Sequence, residues 1–233
     1  MSNHKSDIWV SPRAQSYRPL FFPPIADITH FHRTLEGYKP TPLRNLHTIA
    51  HELGAKAVLL KDESNRYGLP SFKILGASWA VFRELARRLH LPMDSNLSDL
   101  GTALGSRQVK LFAATDGNHG RAVARMGKML GVKVQIHVPV GLPSATIELI
   151  RGENADVVQS LNNYDGAIQE AFDAANELGH DGVLIQDFSF GDYQEIPQVT
   201  RRPDQLLLGN SMLTTIRVVD RRRLQHNVPR GRT

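Results

Sequence analysis

An α/β architecture built on a parallel sheet is what this sequence predicts, on three observations. Between residues 110 and 187, short apolar runs alternate with longer amphipathic segments. Glycines close two of the amphipathic segments, Gly131 and Gly179, where helices end. The chain has 233 residues, 41% hydrophobic and 22% charged, which is ordinary globular composition and enough for one large or two small domains.

Residues 1–40 are rich in proline and aromatics with little periodicity and read as an extended arm packed on a body, with Trp9 and Trp79 as core residues. Residues 41–54, "TPLRNLHTIAHELG", read as a helix. Thr41 would cap it, Pro42 would take the first helical position, and Leu43, Leu46, Ile49, Ala50 and Leu53 would share a face. "AVLLKDE" (57–63) is a buried strand, and a helix over 72–90 follows with Ser71 as its cap. The polar, glycine-containing stretch 92–108 reads as a linker or surface insertion. Three strand–helix units come next: 110–115 with 118–130, 132–139 with 143–151, and 155–160 with 163–178. The strand "VLIQD" (183–187) completes a parallel sheet with right-handed crossovers. Sites on such sheets lie beyond the carboxyl ends of the strands.

Bulk features exclude several function classes. There is no cysteine, hence no disulfide framework or thiolate metal site. The N-terminus lacks a signal-peptide core, and no apolar run approaches the ~20 residues of a membrane span, so a cytoplasmic protein without membrane contact is expected. The net charge of +5 is a tail property: residues 198–233 hold eight arginines and two aspartates, while residues 1–197 sum to −1. The body therefore carries no nucleic-acid signature, and only the tail could attract a polyanion. Neither a dinucleotide fingerprint nor a Walker loop is present. His30 with His32, and His47 with His51, have spacings a metal could use; without an attached carboxylate motif they read as solvent-facing, and no metal is expected.

Two stretches stand out. In "GLPSFKILGASWA" Lys73 lies among Phe72, Ile74, Leu75 and Ala77 at a helix start. An ammonium there either snorkels to water or serves as an amine nucleophile. In "AATDGNHGRAVA" a strand end turns into a helix through Thr115, Asp116, Gly117 and Asn118. A capped turn accounts for that composition, and free N–H groups at the helix start would also suit a carboxylate or phosphate.

Together, in this order, these stretches resemble the fold-type-II, tryptophan synthase β-like family of pyridoxal-phosphate enzymes. The resemblance runs from "YKPTPLRNL" through "VLLKDESNRYGLPSFKILGA" to "VPVGLPSATIELIRGENADVV", roughly residues 38–197. It implies pyridoxal 5′-phosphate as cofactor, a small amino acid as substrate and, for a full-length member, a homodimer. It implies that Lys73 joins the cofactor as a Schiff base, that Gly117 and Asn118 bind it, and that Thr115, Asp116 and His119 contact substrate. Desolvation among Phe72, Ile74 and Leu75 would favour the neutral amine. The acid in "TDGNH" is similar to the diaminopropionate ammonia-lyases, which eliminate ammonia from 2,3-diaminopropionate to give pyruvate. On that likeness Asp116 is a second base, taking the Cα proton from the face opposite Lys73. A serine/threonine dehydratase-like lyase is the neighbouring alternative. The expected organisation is an N-terminal arm and first part of a large cofactor domain over 1–73, a small parallel-sheet domain over 74–190 and an Arg-rich tail over 191–233 without regular structure. The family's later glycine-rich phosphate loop has no counterpart here, so the large domain is expected to be incomplete after about residue 197, and a non-catalytic fragment is the alternative of a different class.

Overall fold

The computed structural model of the chain describes residues 25–92, 94–187 and 216–219. Strands β3 (Lys110–Ala114), β4 (Lys133–Val138), β5 (Asp156–Gln159) and β6 (Gly182–Leu184) form one sheet in the order β5-β4-β3-β6. All three pairings are parallel, with Leu111 opposite Val134 and Val183. Parallel neighbours need crossovers, and helices α5 (Asn118–Leu130), α6 (Ser144–Arg151) and α7 (Tyr164–Glu177) supply them. Alternation along β3 feeds two cores. Leu111 and Ala113 face one that includes Ala122, Val123 and Met126 of α5, whereas Phe112 and Ala114 face one with Ala167, Ile168 and Ala171 of α7. Helix α3 (Lys73–Arg88) packs on the α5 side, buried from Ile74 through Phe82. Trp79 belongs to this core; its ring stacks on Phe82 and meets Phe31 edge-on at 5.2 Å.

β6 joins β3 on the side opposite β4. The carboxyl ends of β3 and β6 therefore lie side by side where chain direction across the sheet reverses, the place such sheets leave a crevice. A second sheet, β1 (Leu43–Asn45), β2 (Ala57–Lys61) and β7 (Ile216–Val219), is antiparallel in the order β1-β2-β7. Among the described residues no helix is long and apolar enough to cross a membrane.

The structure departs from the sequence reading in five places. Residues Ile25–Thr34 form helix α1 inside the expected arm, and Ile28, Phe31 and Leu35 are buried. The expected helix 41–54 is split into β1 and the short helix α2 (His47–Glu52). β2 takes Leu43–Asn45 as a ladder partner, and the Thr41 hydroxyl, expected as a cap, donates to buried Glu63 instead. The expected linker contains helix α4 (Leu97–Leu104), started by an Asn96–Asp99 capping box and anchored by Leu100 and Leu104. In the tail, Ile216–Val219 is regular structure, because β-branched Ile216, Val218 and Val219 suit a strand along β2. Finally, His32 is fully buried rather than solvent-facing, its Nε2 2.9 Å from the Leu75 carbonyl oxygen. Trp9 and the remainder of the tail lie outside the described residues.

Candidate active site

The turn before α3 is built around a buried ion pair. Arg66 and Glu63 are 1% and 3% exposed. The guanidinium donates to both carboxylate oxygens at 2.7 Å, to the Thr41 hydroxyl at 2.8 Å and to the Lys39 carbonyl at 3.2 Å. Arg66 and Leu69 exchange two backbone hydrogen bonds around Tyr67 and Gly68, whose φ angles are 54° and 76°. Two positive φ values in the centre of a two-residue turn are the requirement of a type I′ turn, and Gly68 meets it without strain. The chain leaves this turn four residues before Lys73.

Lys73 opens α3, and the expected cap, Ser71, accepts only a long hydrogen bond from the Lys73 N–H, 3.4 Å. The positive end of a helix dipole is a poor place for an ammonium. Asp187, just beyond β6, compensates: its carboxylate accepts from Lys73 Nζ at 2.5 Å. The expected desolvation of Lys73 is not what the fold provides, since the side chain is 37% exposed and paired, while Ile74 and Leu75 turn into the core. Burial works against the Asp187 carboxylate, but the Lys73 ammonium beside it holds its pKa below the ordinary range.

The β3–α5 turn is equally constrained. Thr115 is fully buried and its hydroxyl oxygen accepts from the Gly117 and Gly120 N–H groups at 2.9 and 3.0 Å. Thr115, expected at the substrate, thus shapes the turn and does not line the cavity. A Cβ on Gly120 would sit 2.4 Å from Thr115 Cγ2, so only glycine lets α5 approach the strand this closely. Gly117 takes φ 155° with ψ −89°, a backbone conformation open to glycine. His119 is 8% exposed and its Nε2 lies 2.8 Å from the Ile185 carbonyl. A carbonyl only accepts, so Nε2 carries the proton. Burial lowers the His119 pKa against the pull of Asp187, leaving a neutral ring whose Nδ1 lies 3.8 Å from Asp187 Oδ2. Asp116 and Asn118 project outward and are exposed.

Between these elements lies a cavity of about 470 Å³. Lys73, Asp116, Gly117, Asn118 and His119 line it together, five of the six residues singled out from sequence. Asp187, Tyr164 and Arg121 line it too and were missed. Burial raises the Tyr164 phenol to about 12, so it stays protonated at neutral pH. Gln186, itself fully buried, ties this wall together: it accepts from the Ala114 N–H, donates to the Ala114 carbonyl and donates to Tyr164 Oη. The only sequence signal for Asp187 was its place at the carboxyl end of a strand; Tyr164 and Arg121 carried none.

The cavity has the size of a small-molecule site. An amine, a side-chain amide and a carboxylate converge on it, and this donor set fits an aldehyde-bearing cofactor at the Lys73 end.

Comparison with known proteins agrees with this geometry. The sequence profile of the family described as "Pyridoxal-phosphate dependent enzyme" matches residues 34–199. Diaminopropionate ammonia-lyase from Escherichia coli strain K12 is 34% identical over 181 residues, 77% of this chain and 45% of that protein. The Salmonella typhimurium enzyme of the same name is 38% identical over 175 residues, 73% of this chain and 43% of that one. The crystal structure of the E. coli ammonia lyase in apo form superposes with a TM-score of 0.71 at 29% identity, covering 78% of this chain and 51% of the other. The chain thus spans about half the length of the relatives it matches.

Proposed function

The chain belongs to the pyridoxal-phosphate dependent enzymes, and on that footing we propose that it serves α,β-elimination of 2,3-diaminopropionate to pyruvate and ammonia. The observation that carries the reading is the shared cavity of Lys73 and Asp116, an amine and a carboxylate on two separate elements. The names of the relatives point to the same substrate.

In this reading Lys73 Nζ is the covalent anchor of the cofactor and Asn118 hydrogen-bonds its ring, with Gly117 letting the turn come close. When bound, the cofactor withdraws electrons from the substrate Cα, so that the proton there becomes removable. Lys73 Nζ would accept that proton from an L-amino acid. Asp116 accepts it from a D-amino acid, whose Cα proton points to the other side. Asp116 also attracts the β-ammonium group, which a serine would do less well. Asp187 accepts a hydrogen bond from Lys73 Nζ and so orients it at the cavity wall. His119 is fixed by its Nε2–H donating to the Ile185 carbonyl and packs beside Asp187 without a hydrogen bond to it. The division into a 1–73 segment and a 74–190 domain, a cytoplasmic location and a homodimeric state belong to the same proposal; limited proteolysis, fractionation and sedimentation address them.

The test is borohydride reduction of the chain mixed with pyridoxal 5′-phosphate, followed by peptide mapping. A single label at Lys73, lost in Lys73→Ala, is expected. Label spread over surface lysines would remove the assignment. In a protein that turns over substrate, Asp116→Asn should abolish the reaction of the D-isomer while sparing most of that of the L-isomer; equal losses would remove Asp116 as a face-specific base.

A further inference from the structure

Three aspartates in this chain stand directly before a glycine: Asp116–Gly117, Asp165–Gly166 and Asp181–Gly182. Such pairs carry a reactivity of their own. The glycine nitrogen can attack the aspartate Cγ, and the N–Cγ bond forms while the N–H proton and the carboxyl hydroxyl leave as water. The product is a five-membered imide. Water then reopens it at the carbonyl on Cα, and the main chain runs on through Cβ and Cγ as an isoaspartate. One water leaves and one enters, so no oxidant, reductant or other reagent is required. Glycine favours the step because no side chain shields its nitrogen and its backbone turns freely.

Two of the three pairs are held by the fold. Asp165 and Gly166 lie in the first turn of α7, where the Gly166 N–H donates to the capping Asn163 side chain at 3.1 Å. Helical dihedrals keep a carboxyl group away from the next nitrogen. Gly182 opens β6 against α7, where a Cβ would run into the Ala175 carbonyl, so its backbone has no room to turn. Asp116 and Gly117 differ: they lie between β3 and α5, outside helix and strand, and Asp116 is exposed to water. The Gly117 N–H is held by one side chain, the Thr115 hydroxyl, at 2.9 Å. That oxygen is itself fixed, since Thr115 is fully buried and also accepts from the Gly120 N–H at 3.0 Å.

We infer that Asp116 is the isoaspartate-forming site of this protein and that the Thr115 hydroxyl is its brake. To attack, the Gly117 nitrogen must give up its proton and its peptide must turn toward the Asp116 Cγ. Both moves break the bond to Thr115. The buried hydroxyl therefore does more than shape the turn: it protects the exposed carboxylate next to it. The consequence, though not the chemistry, rests on the proposed function. Isomerisation leaves the carboxyl of residue 116 directly on Cα and lengthens the main chain before Gly117. An aged chain would lose the base that the D-isomer needs, while Lys73 stays untouched.

The test follows the whole chain without cofactor at neutral pH and physiological temperature. A protease that cuts before aspartate but not before isoaspartate, followed by peptide mapping, reads each of the three sites. Residue 116 should isomerise ahead of 165 and 181, yet at least about tenfold more slowly than in a synthetic peptide of residues 113–124. Thr115→Val keeps the shape and removes the acceptor. It should raise the rate at 116 by about tenfold, the worth of one buried hydrogen bond, and leave 165 and 181 unchanged. Thr115→Ser keeps the hydroxyl and should stay near the rate of the unmodified chain. A folded Thr115→Val no faster at 116 than the unmodified chain, or isomerisation at 165 or 181 ahead of 116, would each overturn the inference. Should Thr115→Val fail to fold, hydrogen exchange of the Gly117 N–H in the unmodified chain decides: protection of less than about tenfold over the peptide would overturn it. Mapping reads Asp116 whether or not the chain is a lyase, so failure here and failure of the lyase reading are distinguishable.

Discussion

Replacing Glu63 by glutamine isolates the ion pair beneath the Lys73 turn. The substitution keeps shape and removes one charge. In the protein the carboxylate accepts from Arg66 Nε, Arg66 NH2 and the Thr41 hydroxyl, with both partners of the pair at most 3% exposed. A glutamine offers one acceptor oxygen, and its NH2 group must then face another donor. Arg66 keeps its charge, buried and short of a counter-ion. Breaking a buried pair from one side costs about 3–5 kcal/mol. Against a total stability of about 5–15 kcal/mol this is a large fraction. With a urea slope of about 2 kcal/mol per molar, the unfolding midpoint should fall by roughly 2 M. Equilibrium unfolding followed by far-UV circular dichroism reads it directly. The double replacement Glu63→Leu with Arg66→Met removes both charges, and it should recover most of the loss because the desolvation cost disappears with them. A midpoint shift for Glu63→Gln worth less than about 1 kcal/mol would refute the account. So would a double variant no better than the single.

Three further outcomes follow from particular contacts. Burial lowers the pKa of His32 to about 4 from an ordinary 6.5. The unfolded chain therefore binds the proton first as pH falls, so stability should be full above about pH 6.5 and decline down to about pH 4, by about 3 kcal/mol in all; His32→Gln, which keeps a donor for the Leu75 carbonyl, should flatten that part of the stability curve. Gly120→Ala would press a methyl group against Thr115 Cγ2 at 2.4 Å and Ile136 Cγ2 at 2.9 Å, and should lower stability by about 1–3 kcal/mol in thermal unfolding while displacing the Asp116–Asn118 turn. Asn96→Ala removes the acceptor of the Ser98 and Asp99 N–H groups and should cost about 1 kcal/mol, seen as faster amide exchange confined to α4.

Much of the fold was legible because its signals are local. The strands and helices between 110 and 184 follow from apolar periodicity and from glycines at helix ends, and their bounds lie within a few residues of those read from sequence. The capping box of α4 was also written in the sequence, as Asn96 three residues before Asp99, but the surrounding polar text concealed it. The split of 41–54 was not legible. Its helical period is real, yet β2 offered Leu43–Asn45 a ladder, and Thr41 was worth more to Glu63 than to a helix.

By itself the sequence determined the parallel sheet, the order of its units and the two stretches, 68–77 and 113–124, that supply the cavity's lysine and its Asp-Gly-Asn turn. These depend on residue type and spacing along a few turns of chain. Only the tertiary structure decided which charges meet. Asp187 reaches Lys73 across 114 positions of sequence, and Glu153 reaches Arg125 across 28. It also decided that Thr115 turns inward, that His119 is a neutral buried ring and that Arg121 and Arg125 share the Glu153 carboxylate. The reason is physical: a hydrogen bond or ion pair gains its worth from burial and from what else competes for its atoms, and both are settled when β3 and β6 lie side by side and bring their carboxyl ends to α3.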